Sequence, residues 1–249
     1  MQPWLLNRTI FCWLAIARTC AVFDRCLRPI AGAGARNRHD PISFEPGSAW
    51  NGDGNLRVLV LFAHPVAASF GAGLHAKVVQ TLRARGHAVD DCDLNAEGFD
   101  PVMTAEDRLG YYDIPGNRRR VGPYVERLLR SEALVFSFPV WNMGFPAILK
   151  GFVDKVFLPG VSFNLKEDGA YVPCLHNVRR LGAVCTYGGG RLTTFLMGDP
   201  PRRFLKRSMR LNCAPGARCD YLACYDMDHT TPERRIRFLE AVERKFSSW

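Results

Sequence analysis

The stretch that most constrains this chain runs from Ser137 to Asn164, SFPVWNMGFPAILKGFVDKVFLPGVSFN. It follows an apolar run, Ala133 to Phe138, long enough for a buried strand. Pro139 cannot donate to a sheet ladder and is expected to close that strand. Pro146 suits the first turn of a helix, where its missing N–H costs nothing. Ile148, Leu149, Phe152, Val153, Val156 and Phe157 then recur at helical spacing with Lys150, Asp154 and Lys155 between them, which predicts a helix with one buried face. The loop from Pro139 to Gly144 therefore lies between a strand's carboxyl end and a helix's amino end, where open α/β sheets bind ligands. Its aromatic content points to a flat ligand. A plain core strand and packing helix explain the apolar spacing but give no reason for Trp141 in the loop or for the Phe157 to Phe163 tail.

The rest of the chain repeats this alternation. Arg57 to Phe62 is a nearly continuous apolar strand, and Gly71 to Arg85 is a helix with Leu74, Val78, Val79 and Leu82 on one face, ended by Gly86. Ala88 to Leu94 is a second strand, Pro123 to Arg130 a short helix, and Ala133 to Phe138 the third strand. Arg180 to Cys185 and Tyr221 to Tyr225 are the fourth and fifth, and Thr231 caps a last helix that runs to Phe246. Strands alternating with helices imply a parallel sheet with right-handed crossovers.

Two further loops fall at strand ends. After the first strand the chain reads Ala63, His64, Pro65, Val66, Ala67, Ala68, Ser69, Phe70 and then enters a helix, whose unpaired first-turn N–H groups suit a phosphate. Ser69 adds a hydroxyl and His64 a ring N–H. After the fourth strand come Thr186, Tyr187, Gly188, Gly189 and Gly190, glycines that permit close backbone approach and positive φ.

Composition removes several classes. The formal net charge of +9 is spread over scattered arginines, and the clusters Arg118 to Arg120 and Arg202 to Arg210 lack the interleaved aromatics of single-strand binders, so nucleic acid is not an expected partner. The nine cysteines form no CxxC pair and no Cys/His grouping at zinc spacing, so neither disulfides nor metal are expected and a reducing cytoplasm is the simplest setting. With 47% hydrophobic residues in 249, one α/β domain over 56–249 is the economical reading. Residues 1–55 differ in character and are expected to form a poorly ordered N-terminal extension, for which an upstream start codon is one source. Its apolar run, Ile10 to Ala17, is interrupted by Arg18 and too short to span a bilayer, so no integral membrane segment is expected.

The central stretch closely resembles the signature of the NAD(P)H:quinone reductase family of flavodoxin-like flavoproteins. The matching residues are Phe138, Pro139, Pro146, Ala147, Leu149, Lys150, Gly151, Asp154, Val156, Phe157, Gly160 and Phe163. The resemblance implies a flavodoxin-like three-layer α/β sandwich with a five-stranded parallel sheet in the order 2-1-3-4-5. The flavin, FAD or FMN, would lie at the switch between the first and third strands. It also assigns cofactor contacts. His64, Ser69 and Phe70 would surround the ribityl and phosphate part, and Pro139, Val140, Trp141, Asn142 and Met143 would form a wall beside ring and substrate. Thr186, Tyr187, Gly188 and Gly189 would meet the pyrimidine edge.

The implied activity is hydride transfer from NAD(P)H through the flavin to a quinone or similar small electrophile, by a ping-pong two-electron route. A homodimer completed through Phe157 to Phe163 is expected with it. One departure stands out. Family members place a Tyr and a His after the Gly-Gly pair, whereas here Gly190 leads into RLTTFLMGDPPRRFLKR, which has no His, so the proton would come from water or from a residue not assigned. Two alternatives use the same fold: an electron-carrier flavodoxin, which the basic charge disfavours, and a regulatory subunit of a potassium efflux system.

Overall fold

In a computed structural model of the protein, residues 54–249 are described. The expectations for 1–53 lie outside them. Strands β1 (Arg57–Phe62), β2 (Ala88–Asp93), β3 (Ala133–Val140), β6 (Arg180–Tyr187) and β7 (Arg218–Cys224) form one parallel sheet in the order β2-β1-β3-β6-β7. A separate antiparallel hairpin, β4 (Phe163–Leu165) and β5 (Tyr171–Pro173), intervenes in the chain. The expected order 2-1-3-4-5 differs in this detail, because the two three-residue strands of the hairpin are too short to show a period of their own.

Helices cover both faces of the sheet. Successive residues of a strand point to opposite sides, and β1 divides accordingly. Val58 and Val60 join Leu74, Val78, Val79 and Leu82 of α1 (Phe70–Ala84) with Val242 and Phe246 of α8 (Pro232–Phe246). Leu59 and Leu61 join Val125 and Leu128 of α3 (Gly122–Arg130) with Leu149, Phe152 and Val156 of α4 (Ala147–Val156). This burial on both faces is why β1 and β3 read as continuous apolar runs rather than as alternating ones.

Several boundaries depart from the sequence reading. β3 continues through Pro139 to Val140, with Pro139 paired to Thr186 of β6. β1 ends opposite Ser137, so a proline two residues further on costs no bond to that neighbour. Pro146 stands at the N-cap of α4 rather than inside its first turn. Among smaller elements that the sequence reading left out are α2 (Ala105–Leu109), α5 (Arg191–Leu196), α6 (Pro200–Arg203), a π-helical run over Phe204–Met209 and α7 (Arg210–Asn212).

The polar side of α4 is also corrected. Lys155 is buried, and its ammonium donates to the carbonyl oxygens of Asp100 at 3.0 Å and Val102 at 2.9 Å. One turn earlier, a Cβ on Gly151 would fall 2.3 Å from the Pro101 carbonyl oxygen, so only glycine lets the helix close on this segment. Lys155 and Gly151 together lock residues 100–102 onto α4. The tail beyond α4 is interior as well: Phe157, Leu158 and Val161 are buried in the chain's own core, so most of the expected Phe157 to Phe163 dimer contact is not a free surface.

Candidate functional site

Three loops leave the carboxyl ends of β1, β3 and β6, side by side at the sheet's topological switch. In the first, Val66 N–H donates to His64 Nδ1 at 3.0 Å, so the proton of the neutral ring sits on Nε2. Ser69 is the N-cap of α1, its hydroxyl accepting from Ala72 N–H at 3.1 Å. The next two amides, of Phe70 and Gly71, make no hydrogen bond among the described residues. With the helix dipole behind them they form an anion-binding end.

The second loop is a tight reversal. Trp141 and Gly144 exchange two backbone hydrogen bonds, Gly144 N–H to Trp141 O at 2.8 Å and Trp141 N–H to Gly144 O at 3.3 Å. The two residues between them, Asn142 and Met143, have φ of +48° and +57°. This is the pattern of a two-residue turn with both centres left-handed, for which Asn is suited and Met is not. A left-handed Met held in place by its neighbours is stored strain of the kind that clusters at ligand sites. Trp141 remains 46% exposed, poor use of a tryptophan unless something stacks on it.

The third loop corrects one expectation. Gly188 and Gly189 are not among the residues with positive φ. Their role is access: an added Cβ on Gly189 would meet only Met143 Cε, at 3.7 Å, and one on Gly188 would come within 3.1 Å of an Asp228 carboxylate oxygen. The loop is anchored from beneath. Tyr187 is buried, and its hydroxyl donates to Asp199 Oδ1 at 2.6 Å while accepting from Tyr221, also at 2.6 Å. Its ring stacks on Tyr225 with centroids 4.8 Å apart. Burial pushes the Cys185 thiol up to about 12 and raises both hydroxyls, so all three stay protonated.

The loops meet through side chains. His64 and Trp141 lie edge to face with ring centroids 6.1 Å apart, and Met143 reaches the Gly189 position. Of the twelve expected contacts, His64, Ser69, Trp141, Asn142, Met143, Thr186, Gly188 and Gly189 lie in or at the ends of these loops. Val140 and Pro139 end β3, with Pro139 buried. Two side chains face elsewhere. Phe70 packs with the α1 and α8 core, the Arg235 guanidinium 5.9 Å from its ring centroid, and Tyr187 points into the interior network. A cavity of about 390 Å³ between α4, the β4-β5 hairpin and the helical segment after α6 is lined by none of the twelve.

The sequence reading missed a fourth loop. Asp226 N–H donates to Gly189 O at 3.0 Å, which lays the turn after β7 against the third loop. The rule that ligands gather at strand carboxyl ends applies equally to Asp226 to His229, directly after the fifth strand of the sheet, and was the available signal.

The donor set fits a flavin. Unpaired amides and a hydroxyl at a helix start suit its phosphate, an exposed Trp and a strained turn suit its ring, and glycines without a Cβ leave backbone within reach of the ring edge.

Comparison with known proteins agrees with this architecture. The profile of a family described as Flavodoxin-like fold matches residues 56–205, and the chain belongs to that family. It is 29% identical over 180 residues to an uncharacterized NAD(P)H oxidoreductase of Escherichia coli, YcaK, covering 70% of this chain and 82% of that protein. It is 23% identical over 219 residues to NAD(P)H dehydrogenase [quinone] 1 of Rattus norvegicus, covering 77% of each. Among solved structures, NAD(P)H:quinone oxidoreductase from Methanothermobacter marburgensis superposes with a TM-score of 0.67 at 21% identity, over 78% of this chain and 98% of that one, which shows the shared fold.

Proposed function

We propose that the protein is a flavin-dependent oxidoreductase that takes two electrons from NAD(P)H and delivers them to a quinone or similar small electrophile. The observation that carries this reading is the meeting of the three loops, His64 against Trp141 and Met143 against Gly189, at the carboxyl ends of β1, β3 and β6. Relatives named as NAD(P)H oxidoreductase and NAD(P)H dehydrogenase [quinone] support it.

The bound flavin, FMN or FAD, supplies the two-electron redox chemistry. The chain's own residues bind and orient. Phe70 and Gly71 amides with the Ser69 hydroxyl hold the phosphate, and His64 Nε2–H donates to the part beside it. Trp141 with the Asn142–Met143 turn makes the wall on which ring and substrate rest. Backbone N–H groups of Gly188 and Gly189 would serve as preorganised donors to the pyrimidine edge, where negative charge develops on reduction. No protein nucleophile is needed, so donor and acceptor can use one place in turn.

The enzyme acts as a homodimer in the cytoplasm. Since Phe157, Leu158 and Val161 are interior, the surface offered to a second copy is the outward stripe of α5, where Leu192, Phe195 and Leu196 are each more than 70% exposed while Thr194 faces in. No helix among the described residues is long and apolar enough to cross a membrane. Anaerobic mixing tests the activity: NADH or NADPH bleaches the flavin absorption and a quinone restores it. A flavin-loaded protein that neither nucleotide reduces contradicts the reading.

A further inference from the structure

The turn after β7 reads Asp226, Met227, Asp228, His229 and has no part in the flavin contacts proposed above. Asp226 adopts a left-handed backbone with φ of +61°, and its Oδ1 lies 2.9 Å from His229 Nδ1. Its N–H holds the Gly189 carbonyl, while Asp228 stands against Gly188. The turn therefore leans on both glycines of the third loop. With Nδ1 engaged by Asp226, the ring's remaining proton-bearing atom is Nε2, and a side chain 81% exposed leaves that atom open to water. The charged groups around it are few. Asp226 and Asp228 lie on its own turn, Arg234 in the first turn of α8 reaches the second oxygen of Asp226 at 3.8 Å, and the loop from Thr186 to Gly190 brings no charge.

We propose that His229, held by Asp226, is the proton donor to the electron acceptor, acting from Nε2. This rests on the proposed function and fills its gap, since the segment after Gly190 has no histidine. Reducing a quinone to a hydroquinone takes two electrons and two protons. Bound reduced flavin would supply both electrons with one proton, as a hydride. The second proton leaves His229 as its Nε2–H bond breaks and an O–H bond forms on the acceptor oxygen, and water then reprotonates the ring. Asp226, by hydrogen bond and charge, with Asp228 behind it, holds the imidazolium above the usual histidine range, which suits an acid working near neutral pH.

The test separates the half-reactions by stopped flow in the full chain. In the wild type the oxidative half-reaction slows as pH rises through the raised His229 pKa. His229→Gln abolishes that limb and slows quinone reduction about a hundredfold, with reduction by NAD(P)H unchanged. Asp226→Asn keeps a residue that tolerates the left-handed backbone but removes the charge, so the limb moves to lower pH. A readout apart from turnover is the His229 ring signal in NMR of the apoprotein, which shifts on adding FMN or FAD and titrates at lower pH in Asp226→Asn. A flavin-loaded His229→Gln protein with wild-type oxidative rate and pH limb overturns this inference alone, as does a ring signal unmoved by flavin. A chain that binds neither flavin overturns the proposed function and this inference with it.

Discussion

The loop after β3 and the loop after β6 come together where a side chain on Gly189 would meet Met143, yet they hold their shapes by opposite means. The first is closed locally: two backbone hydrogen bonds within four residues force Asn142 and Met143 into left-handed geometry. The second is relaxed in its own backbone and is held from outside, by Asp226 on its carbonyl and by the Asp199–Tyr187–Tyr221 bonds below. Strain carried within a short turn makes a stiff wall. A glycine loop fixed by distant groups presents bare backbone without being loose, as a donor to a developing charge requires.

The largest effect that would break this comparison is at Gly189. Replacement by Val adds a branched side chain where backbone is meant to face the ring edge. Flavin affinity should fall roughly a hundredfold, about 2.7 kcal/mol. Since the first added atom meets only Met143 Cε, the folded structure should persist. Flavin titration followed by fluorescence quenching gives the affinity, and far-ultraviolet circular dichroism the fold; undiminished affinity would show that the loop does not face the flavin.

Next in size is Asp199→Ala, which removes the acceptor of the buried Tyr187 hydroxyl. A stability loss of about 2 kcal/mol is expected, the cost of an orphaned buried donor. Flavin affinity should weaken with it, because the anchor beneath the third loop is gone. Urea denaturation measures the first, and a midpoint equal to the wild type would mean that the network is not an anchor.

The smallest effect has the opposite sign. Met143→Gly relieves a left-handed non-glycine residue, and the gain is offset by glycine's greater freedom when unfolded, leaving a net stabilisation of about 0.5 kcal/mol. The same change strips the wall between the loops, so flavin should bind less tightly although the protein is no less stable. Tighter binding would argue against the strain having a purpose at this site.

How much of this was legible in the sequence follows from how local each cause is. The three loops could be read because strand ends, the helix start after Phe70 and runs of Pro and Gly act within a few residues. The sheet could be read because β1 and β3 are apolar on both faces. Lys155 could not be read, since helical spacing put it on the polar side while its partners lie 53 and 55 residues away. Asp199 was unreadable for a similar reason: within Gly198 to Arg203 it looks like a turn residue, and only the fold brings the Tyr187 hydroxyl to it. The left-handed Asn142 and Met143 went unnoticed because no glycine marks them. His229 carries no local mark either: it stands 39 residues beyond Gly190, and only the bond from Asp226 N–H to Gly189 O brings its turn to the third loop.

The most direct test of the central claim is the visible absorption of the purified full-length chain, with titration of the apoprotein by FMN and by FAD. The three-loop site predicts flavin bands in the isolated protein and saturation at one flavin per chain. A colourless protein that binds neither would contradict it.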